Sequence, residues 1–148
     1  MPAANVLGCR QFLCPALAGK APPAGVFDQI ELGFVREGWE RAYRGDYPNA
    51  LLEESHRKLA LAVGRIEQAL EQGPWLLGDS YSLADIDAFS IARSLPLLAP
   101  ELTSDRRHLH DWLKRVEQRP AVRRAISTGG WQSPETAFAP GPEAARWG

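Results

Sequence analysis

Apolar residues recur at steps of three and four along much of the chain, the spacing of one face of an α-helix. The pattern is most regular from Asn49 to about Gln72, where one stripe consists of Leu52, His56, Leu59, Val63, Ile66 and Leu70. The charged residues of this segment lie mostly on the other faces, and Asn49 is suited to cap its first turn. The sequence therefore predicts a long amphipathic helix here.

Two further helices are predicted before this one. Residues 2–17 carry five large apolar side chains and few charges, which favours a short helix packed against a neighbour. Residues 18–25 contain two prolines and two glycines and are predicted to form a loop. Residues 26–43 then repeat apolar side chains at helical spacing, although Gly33 and Gly38 weaken that helix.

The segment Leu83–Leu98 has apolar residues on nearly every face. A helix of that kind belongs in a protein core, and this one is too short to span a bilayer. Ser82 and Asp85 have the spacing of a capping box, in which each side chain accepts a hydrogen bond from the other residue's backbone amide. We therefore predict a buried central helix capped by Ser82 and Asp85, with Asp85 as a structural residue rather than a general base.

Two helices are predicted after the central one. Thr103 or Ser104 is suited to cap the first, whose apolar face consists of Leu109, Trp112, Leu113 and Val116. Pro120 suits the first position of the second, and the glycine pair at 129–130 ends it. The predicted fold class is therefore all-α, with a helical bundle of five to six helices over residues 1–130 and an extended tail at 131–148.

Composition and charge are those of a globular protein. The chain has 148 residues, 45% hydrophobic and 24% charged, enough to bury one core. A formal net charge of −1 gives no electrostatic reason to expect nucleic acid or an anionic membrane as a partner. No charged and apolar leader is evident near residue 1, so the expected location is cytoplasmic.

The residues that bind metals or act as nucleophiles have no recognisable spacing. Cys9 and Cys14 are five apart, which would put them on different faces of an α-helix, and we expect reduced, mostly buried thiols. His108 and His110 are two apart, whereas zinc-binding pairs on a helix favour a separation of four. His56 has no carboxylate or cysteine near it in sequence at a ligand spacing. We predict no metal site and no catalytic residue in this chain.

The residues around the start of the central helix resemble a motif of one protein family. In the all-helical C-terminal domain of the cytosolic glutathione S-transferase superfamily, the buried central helix opens with W-L-x-G-x-x-(Y/F)-S-x-A-D-I. The residues of this chain that match the pattern are Trp75, Leu76, Gly78, Tyr81, Ser82, Ala84, Asp85 and Ile86. Trp112-Leu113 and the run at 119–122 follow in the order expected for the last two helices. The resemblance covers roughly residues 51–127 and is loose over the first fifty.

The resemblance implies a division of roles between two domains. In that family glutathione is held mainly by an N-terminal thioredoxin-like domain, which also supplies the activating Tyr, Ser or Cys; no βαβ unit is evident in this chain. The helical domain contributes one wall of the pocket for the hydrophobic co-substrate. By resemblance, Phe12, Trp39 and Trp131 are the candidates for that wall, and glutathione is the implied thiol ligand.

The absence of a thioredoxin-like half from this sequence would leave apolar faces of the first and central helices without cover. We therefore expect a homodimer or a partner protein, together with a hydrophobic small molecule as ligand. The implied function is that of a glutathione S-transferase-like helical domain that binds such a molecule, as a diverged or partial transferase. The alternative is a non-catalytic protein-association module of the same fold. A third interpretation is a piece of a longer transferase.

Overall fold

The computed structural model describes residues 3–22, 24–25, 27–28 and 30–128. Over these residues it confirms the all-α fold class, because the ordered structure is helical apart from one isolated bridge between Trp75 and Gly78. The helical segments in chain order are α1 (Ala3–Gly8), a π-helical turn (Cys9–Leu13), α2 (Cys14–Leu17), α3 (Gly33–Arg44), α4 (Asn49–Leu70), α5 (Leu83–Ala92), α6 (Leu95–Leu98), α7 (Pro100–Thr103), α8 (Arg107–Glu117) and α9 (Pro120–Thr128). None of the described helices is long and apolar enough to cross a membrane. The predicted tail, with Trp131, lies outside the described residues.

The described residues divide into two units, and the division falls within α4. Unit 1 runs up to Ser55, and unit 2 begins at His56. The buried core of unit 1 consists of Val6, Leu13, Cys14, Leu17, Ala42 and Tyr47. The partly buried side chains that pack against this core are Cys9, Trp39, Tyr43, Leu51 and Leu52. The first helical segments, α3 and the start of α4 therefore share one apolar core.

Helix α3 begins at Gly33, later than the apolar pattern predicted. Ile30 is fully buried ahead of it, and its carbonyl oxygen accepts hydrogen bonds from Arg36 Nε at 3.0 Å and Nη2 at 2.6 Å. This guanidinium fork fixes the backbone before the helix. Gly45 ends α3 at φ +67, a left-handed conformation that glycine adopts without a steric penalty.

The central helix, α5, is shorter and less buried than predicted. It ends at Ala92, and a separate short helix, α6, occupies part of the remaining apolar segment. Pro96 has no amide hydrogen and cannot continue the hydrogen-bond ladder of α5. The buried residues of α5 are Asp85, Phe89 and Ala92. The large apolar residues that α5 leaves exposed are Leu83 (81%), Ile86 (48%) and Ile91 (47%).

Helices α5 and α8 form the centre of unit 2. The rings of Phe89 and Trp112 meet edge to face, with centroids 6.2 Å apart and planes at 76°. Trp112 is fully buried, as are Leu109 and Val116 on the same helix. An edge-to-face pair contributes roughly 0.5–1.5 kcal/mol beyond the burial of its area. The apolar face predicted for α8 is therefore the face that packs in the core.

Two glycines with opposite surroundings provide a matched pair of substitutions. A Cβ on Gly73 would lie 2.9 Å from the Gly78 carbonyl oxygen, whereas a Cβ on Gly64 in α4 would meet nothing within 4 Å beyond its chain neighbours and the nearby backbone of its own helix. We expect Gly73→Ala to lower the free energy of unfolding by about 1–3 kcal/mol. We expect Gly64→Ala to raise it by roughly 0.5–1 kcal/mol, because alanine favours a helix interior. Urea denaturation measures both, and effects of equal sign would contradict the close approach at Gly73.

Candidate functional site

Asp85 is fully buried at the start of α5, and both of its carboxylate oxygens accept hydrogen bonds. Oδ2 accepts from the Ser82 amide at 2.9 Å and from the Ser82 hydroxyl at 3.0 Å, and the capping box with Ser82 is present. Oδ1 accepts from the Leu76 amide at 3.0 Å and from Trp112 Nε1 at 2.9 Å. The last two donors come from a loop and from α8, so local spacing in the sequence does not reveal them.

The hydrogen bonds to Asp85 favour its ionised form. Burial by itself would raise the pKa of this carboxyl, but the donors on Leu76, Trp112 and Ser82 outweigh it and hold the pKa below its ordinary value. A carboxylate offers about four lone-pair sites, and four donors fill them here. A general base must lie within hydrogen-bond reach of its substrate, whereas Asp85 is buried and its lone pairs are already occupied. The geometry of Asp85 is that of a structural anchor joining a loop, α5 and α8.

A second buried carboxylate, Glu67 on α4, lies against the first turn of α8. Its Oε2 accepts from the Leu109 amide at 2.9 Å, and its Oε1 accepts from the His108 amide at 3.2 Å and lies 2.9 Å from His108 Nδ1. Burial would raise the pKa of Glu67, but the Leu109 amide and then the His108 groups lower it to below its ordinary value. A negative charge is favoured at this end of a helix, where amide hydrogens have no intrahelical partner.

The prediction that Thr103 or Ser104 caps α8 was therefore wrong. The helix begins at Arg107, and the Thr103 hydroxyl instead donates to the Pro100 carbonyl oxygen at 3.2 Å. The cap is supplied by Glu67, which is forty-one residues away from His108 along the chain. Such a cap depends on how two helices pack, so the local sequence of α8 carries no signal of it.

Two arginines pack on the aromatic residues of the motif that precedes α5. Arg115 donates to the Pro74 carbonyl oxygen at 2.6 Å and lies over the Trp75 ring at 5.5 Å. Arg119 lies 3.6 Å from the centroid of the Tyr81 ring, and Trp75 and Tyr81 meet edge to face at 4.9 Å. Each cation–π contact of this kind contributes about 0.5–1 kcal/mol at an exposed site. The motif residues Trp75 and Tyr81 thus stabilise the loop that leads into α5.

Two of the three residues predicted for a ligand wall lie in unit 1. Trp39 on α3 is half-buried and packs against the unit 1 core. Phe12 lies in the π-helical turn, is half-buried and directly precedes Leu13 of that core. Trp131 lies outside the described residues. Each of the two described aromatic rings keeps part of its surface open, as a side chain that contacts a ligand must, and their role in binding stays a prediction.

The π-helical turn changes the arrangement expected for the two cysteines. The Cys14 amide donates to the Cys9 carbonyl oxygen, a hydrogen bond between residues five apart, and Pro15 follows. A proline in a helix clashes with the carbonyl four residues before it, and a wider turn relieves that clash. One wide turn therefore separates Cys9 from Cys14, so the regular α-helical spacing assumed in the prediction of different faces does not apply to this segment. Both cysteines are free, and Cys14 is buried.

Tyr47 lies beside both thiols in unit 1. Its side chain is only 7% exposed, and its hydroxyl lies against the Cys9 thiol. Burial raises the pKa of Tyr47 well above its ordinary value, and the neighbouring Cys9 adds to this effect. Burial likewise raises the pKa of Cys9 and of Cys14. In the sequence Tyr47 belongs to the turn after α3, and nothing in that context pointed to a buried polar group.

His56 pairs with a carboxylate that the sequence did not suggest. Its Nε2 contacts Glu101 Oε1 on α7, with side chains 40% and 56% exposed. The two residues are forty-five apart in the chain, beyond the reach of any helical spacing. Exposed pairs of this kind contribute little to stability. Within the described part of the chain, no three residues with metal-binding side chains cluster.

Comparison with known proteins gives matches for this chain. Residues 26–120 match the family model described as "Glutathione S-transferase, C-terminal domain". Over 93 residues the chain is 36% identical to Protein LigF of Sphingobium sp. (strain NBRC 103272 / SYK-6), covering 57% of this chain and 35% of LigF. The chain thus spans about a third of the length of this curated relative. No solved structure gives a significant match.

Proposed function

Because the chain belongs to the glutathione S-transferase family through its C-terminal domain, we propose that it forms the ligand-binding helical half of a transferase-like protein. In this proposal Phe12 and Trp39 contact a hydrophobic co-substrate, and a thioredoxin-like domain outside this chain holds glutathione. The half-buried aromatic ring of Trp39, packed on the unit 1 core, is the observation that carries it. The cytoplasm is the location we propose, as for other cytosolic members of the family.

The described carboxylates of unit 2 support a binding role rather than a complete catalytic one. Asp85 and Glu67 are the buried carboxylates described, and both are used to hold helix ends in place. The histidines His56 and His108 contact carboxylates, and His110 Nε2 lies 2.9 Å from the Thr103 carbonyl oxygen. In this proposal the activation of a thiol belongs to a thioredoxin-like domain outside the described residues.

Calorimetric titration of the full chain with 1-chloro-2,4-dinitrobenzene, and separately with glutathione, tests the proposal. We expect the aromatic compound to bind in the micromolar range, and glutathione alone to give no heat and no conjugation product. Trp39→Ala is expected to weaken binding of the aromatic compound by about tenfold, the effect of losing roughly 1.4 kcal/mol of contact.

Phe34→Ala is the matched control, because Phe34 is also an aromatic residue of α3 but is 60% exposed. It is expected to leave the binding of the aromatic compound unchanged. Equal weakening by both substitutions, at equal melting temperature, would show that Trp39 does not line a specific wall. Binding of glutathione with turnover by this chain alone would show that the thiol site is not elsewhere.

The exposed face of α5 favours the second candidate function, that of an association module. Leu83, Ile86 and Ile91 present apolar side chains to solvent in this chain, and such patches mark interaction surfaces. We propose that a second copy or a partner protein covers them. Light scattering at micromolar concentration is expected to show association that Leu83→Ser with Ile86→Ser removes. Leu61→Ser is the control, since Leu61 is an exposed leucine of α4 at 53%.

A strictly monomeric profile in light scattering, without binding of an apolar dye, would count against the association proposal. Recovery of a stable complex together with no heat from either small molecule would favour the association module over the ligand-binding half. Both candidate functions are compatible with the same fold, but each would use a different surface of the chain for binding. The face of α5 lies in unit 2, whereas Phe12 and Trp39 lie in unit 1.

A further inference from the structure

The chain contains three histidines, and each contacts a different kind of partner. His56 pairs with Glu101, whose side chain is 56% exposed on the four-residue helix α7. His110 Nε2 lies 2.9 Å from a backbone carbonyl oxygen, which is neutral. His108 Nδ1 lies 2.9 Å from Oε1 of Glu67, whose side chain is only 11% exposed. Of the three histidines, His108 is therefore the one that a buried carboxylate holds.

This carboxylate fixes which nitrogen of the His108 ring carries a proton. Glu67 is ionised at neutral pH, because its pKa lies below the ordinary value, and an ionised carboxylate only accepts hydrogen bonds. Its contact with Nδ1 therefore requires a proton on that nitrogen. In the neutral ring the lone pair is then on Nε2. The His108 side chain is 48% exposed, so a small molecule can reach the ring from solvent.

The position of the Glu67 carboxylate is fixed by the backbone of α8. Its Oε2 accepts from the Leu109 amide at 2.9 Å, and its Oε1 accepts from the His108 amide at 3.2 Å, so the group cannot turn away without losing these bonds. A carboxylate held against Nδ1 stabilises the positive charge that an imidazole acquires when its other nitrogen reacts. That interaction is stronger for the buried Glu67 than for the exposed Glu101, which water screens.

We propose that His108 is a nucleophile toward activated acyl compounds such as aryl esters, with Glu67 as its positioning residue. Nε2 attacks the carbonyl carbon and forms an N–C bond, and the C–O bond to the aryl group breaks, so its electron pair leaves with the phenolate. The acylated ring is a cation while Nδ1 keeps its proton, and the Glu67 carboxylate balances that charge.

Water completes the reaction. It adds to the acyl carbon, the C–N bond breaks, and the electron pair of that bond returns to Nε2. The products are a phenolate, a carboxylate and two protons, and the ring is restored. Both residues lie in unit 2, so the reaction does not depend on the ligand wall proposed in unit 1.

Acylation of the natural chain with a limiting amount of diethyl pyrocarbonate tests the nucleophile, and peptide mass spectrometry measures the rate at each histidine. We expect His108 to react about tenfold faster than the other two, the effect of one charge-assisted hydrogen bond in the transition state. His56 is the decisive comparison, because its side chain is exposed to a similar extent, 40%. Reaction of His56 or His110 at the same rate as His108, or faster, would overturn the proposal.

Hydrolysis of 4-nitrophenyl acetate by variants tests the reaction itself. His108→Gln is expected to remove the hydrolysis that depends on histidine, and His56→Gln, the matched control, to leave it unchanged. Glu67→Gln keeps the ring but replaces the carboxylate by an amide, and is expected to lower the rate about tenfold. An unchanged rate in His108→Gln or in Glu67→Gln would contradict the roles given to these residues.

The tautomer of His108 gives a readout that does not depend on how the variants fold. Long-range proton–nitrogen NMR correlations of the natural chain, recorded where the ring is neutral, are expected to show the proton on Nδ1. The Glu67→Gln spectrum is expected to lose this preference, because an amide no longer demands a donor. A neutral His108 ring that carries its proton on Nε2 in the natural chain would overturn the proposal.

Discussion

Asp85→Ala is expected to lower the free energy of unfolding by about 3–5 kcal/mol, because it removes the acceptor of several buried donors at once. The Trp112 indole and the amides of Leu76 and Ser82 all donate to this carboxylate. Each buried donor that loses its partner costs roughly 1–3 kcal/mol, and relaxation of the loop recovers part of the sum. Equilibrium urea denaturation, followed by circular dichroism, measures the change.

Asp87→Ala is the matched control for this substitution. Asp87 lies two residues further along α5, and its side chain is exposed. Its replacement is expected to change the free energy of unfolding by no more than about 0.5 kcal/mol. A cost for Asp85→Ala as small as that of the control would contradict the anchoring role. Loss of ligand binding at unchanged stability would instead make Asp85 a residue of the binding site.

The size of the Asp85 effect illustrates what the local sequence reveals. The spacing of Ser82 and Asp85 predicts a helix cap, and a cap alone is worth about 0.5–2 kcal/mol. The structure adds hydrogen bonds from Trp112 and Leu76, which join three parts of unit 2 at one carboxylate. A capping box is a pattern within four residues, whereas the other donors arrive through the packing of α8. The sequence spacing therefore identified Asp85 as a capping residue but underestimated its contribution to the free energy of unfolding.

Other parts of the fold follow the same distinction between local and distant interactions. The start of α4 at Asn49 and the apolar face of α8 depend on neighbouring residues, and the sequence predicted both. The exposure of Leu83 and Ile86 depends on what covers α5, which the pattern of one helix does not specify. The π-helical turn before Pro15 was missed because helical periodicity assumes regular turns.

The residues of the candidate site show the same distinction between what local sequence predicts and what depends on packing. Trp39 was proposed by family resemblance, and the structure places it half-buried against the unit 1 core. Tyr47, in contrast, sits in a turn whose composition suggested only the end of a helix. Its burial beside Cys9 results from the packing of the first helical segments against the start of α4. A buried hydroxyl becomes recognisable only when its neighbours in space are known.

Glu67→Ala is expected to lower the free energy of unfolding by about 2–3 kcal/mol. The carboxylate accepts from the amides of His108 and Leu109, which belong to the first turn of α8; its loss leaves the buried Leu109 amide and the partly buried His108 amide without this partner. Gln68→Ala is the control, since Gln68 is exposed on the same helix and is expected to have an effect within about 0.5 kcal/mol. Urea denaturation at neutral pH compares the variants.

The low pKa of Glu67 also predicts a dependence of stability on pH. Its pKa is lower in the folded protein than the ordinary value near 4.3, so the folded state favours the ionised form. The contribution of Glu67 is therefore complete above about pH 5 and is lost as the pH falls through the folded-state pKa. Glu67→Gln does not titrate, and the stability difference between the natural chain and this variant is expected to shrink from pH 6 to pH 3. A difference that stayed constant or grew on acidification would contradict an ionised cap on α8.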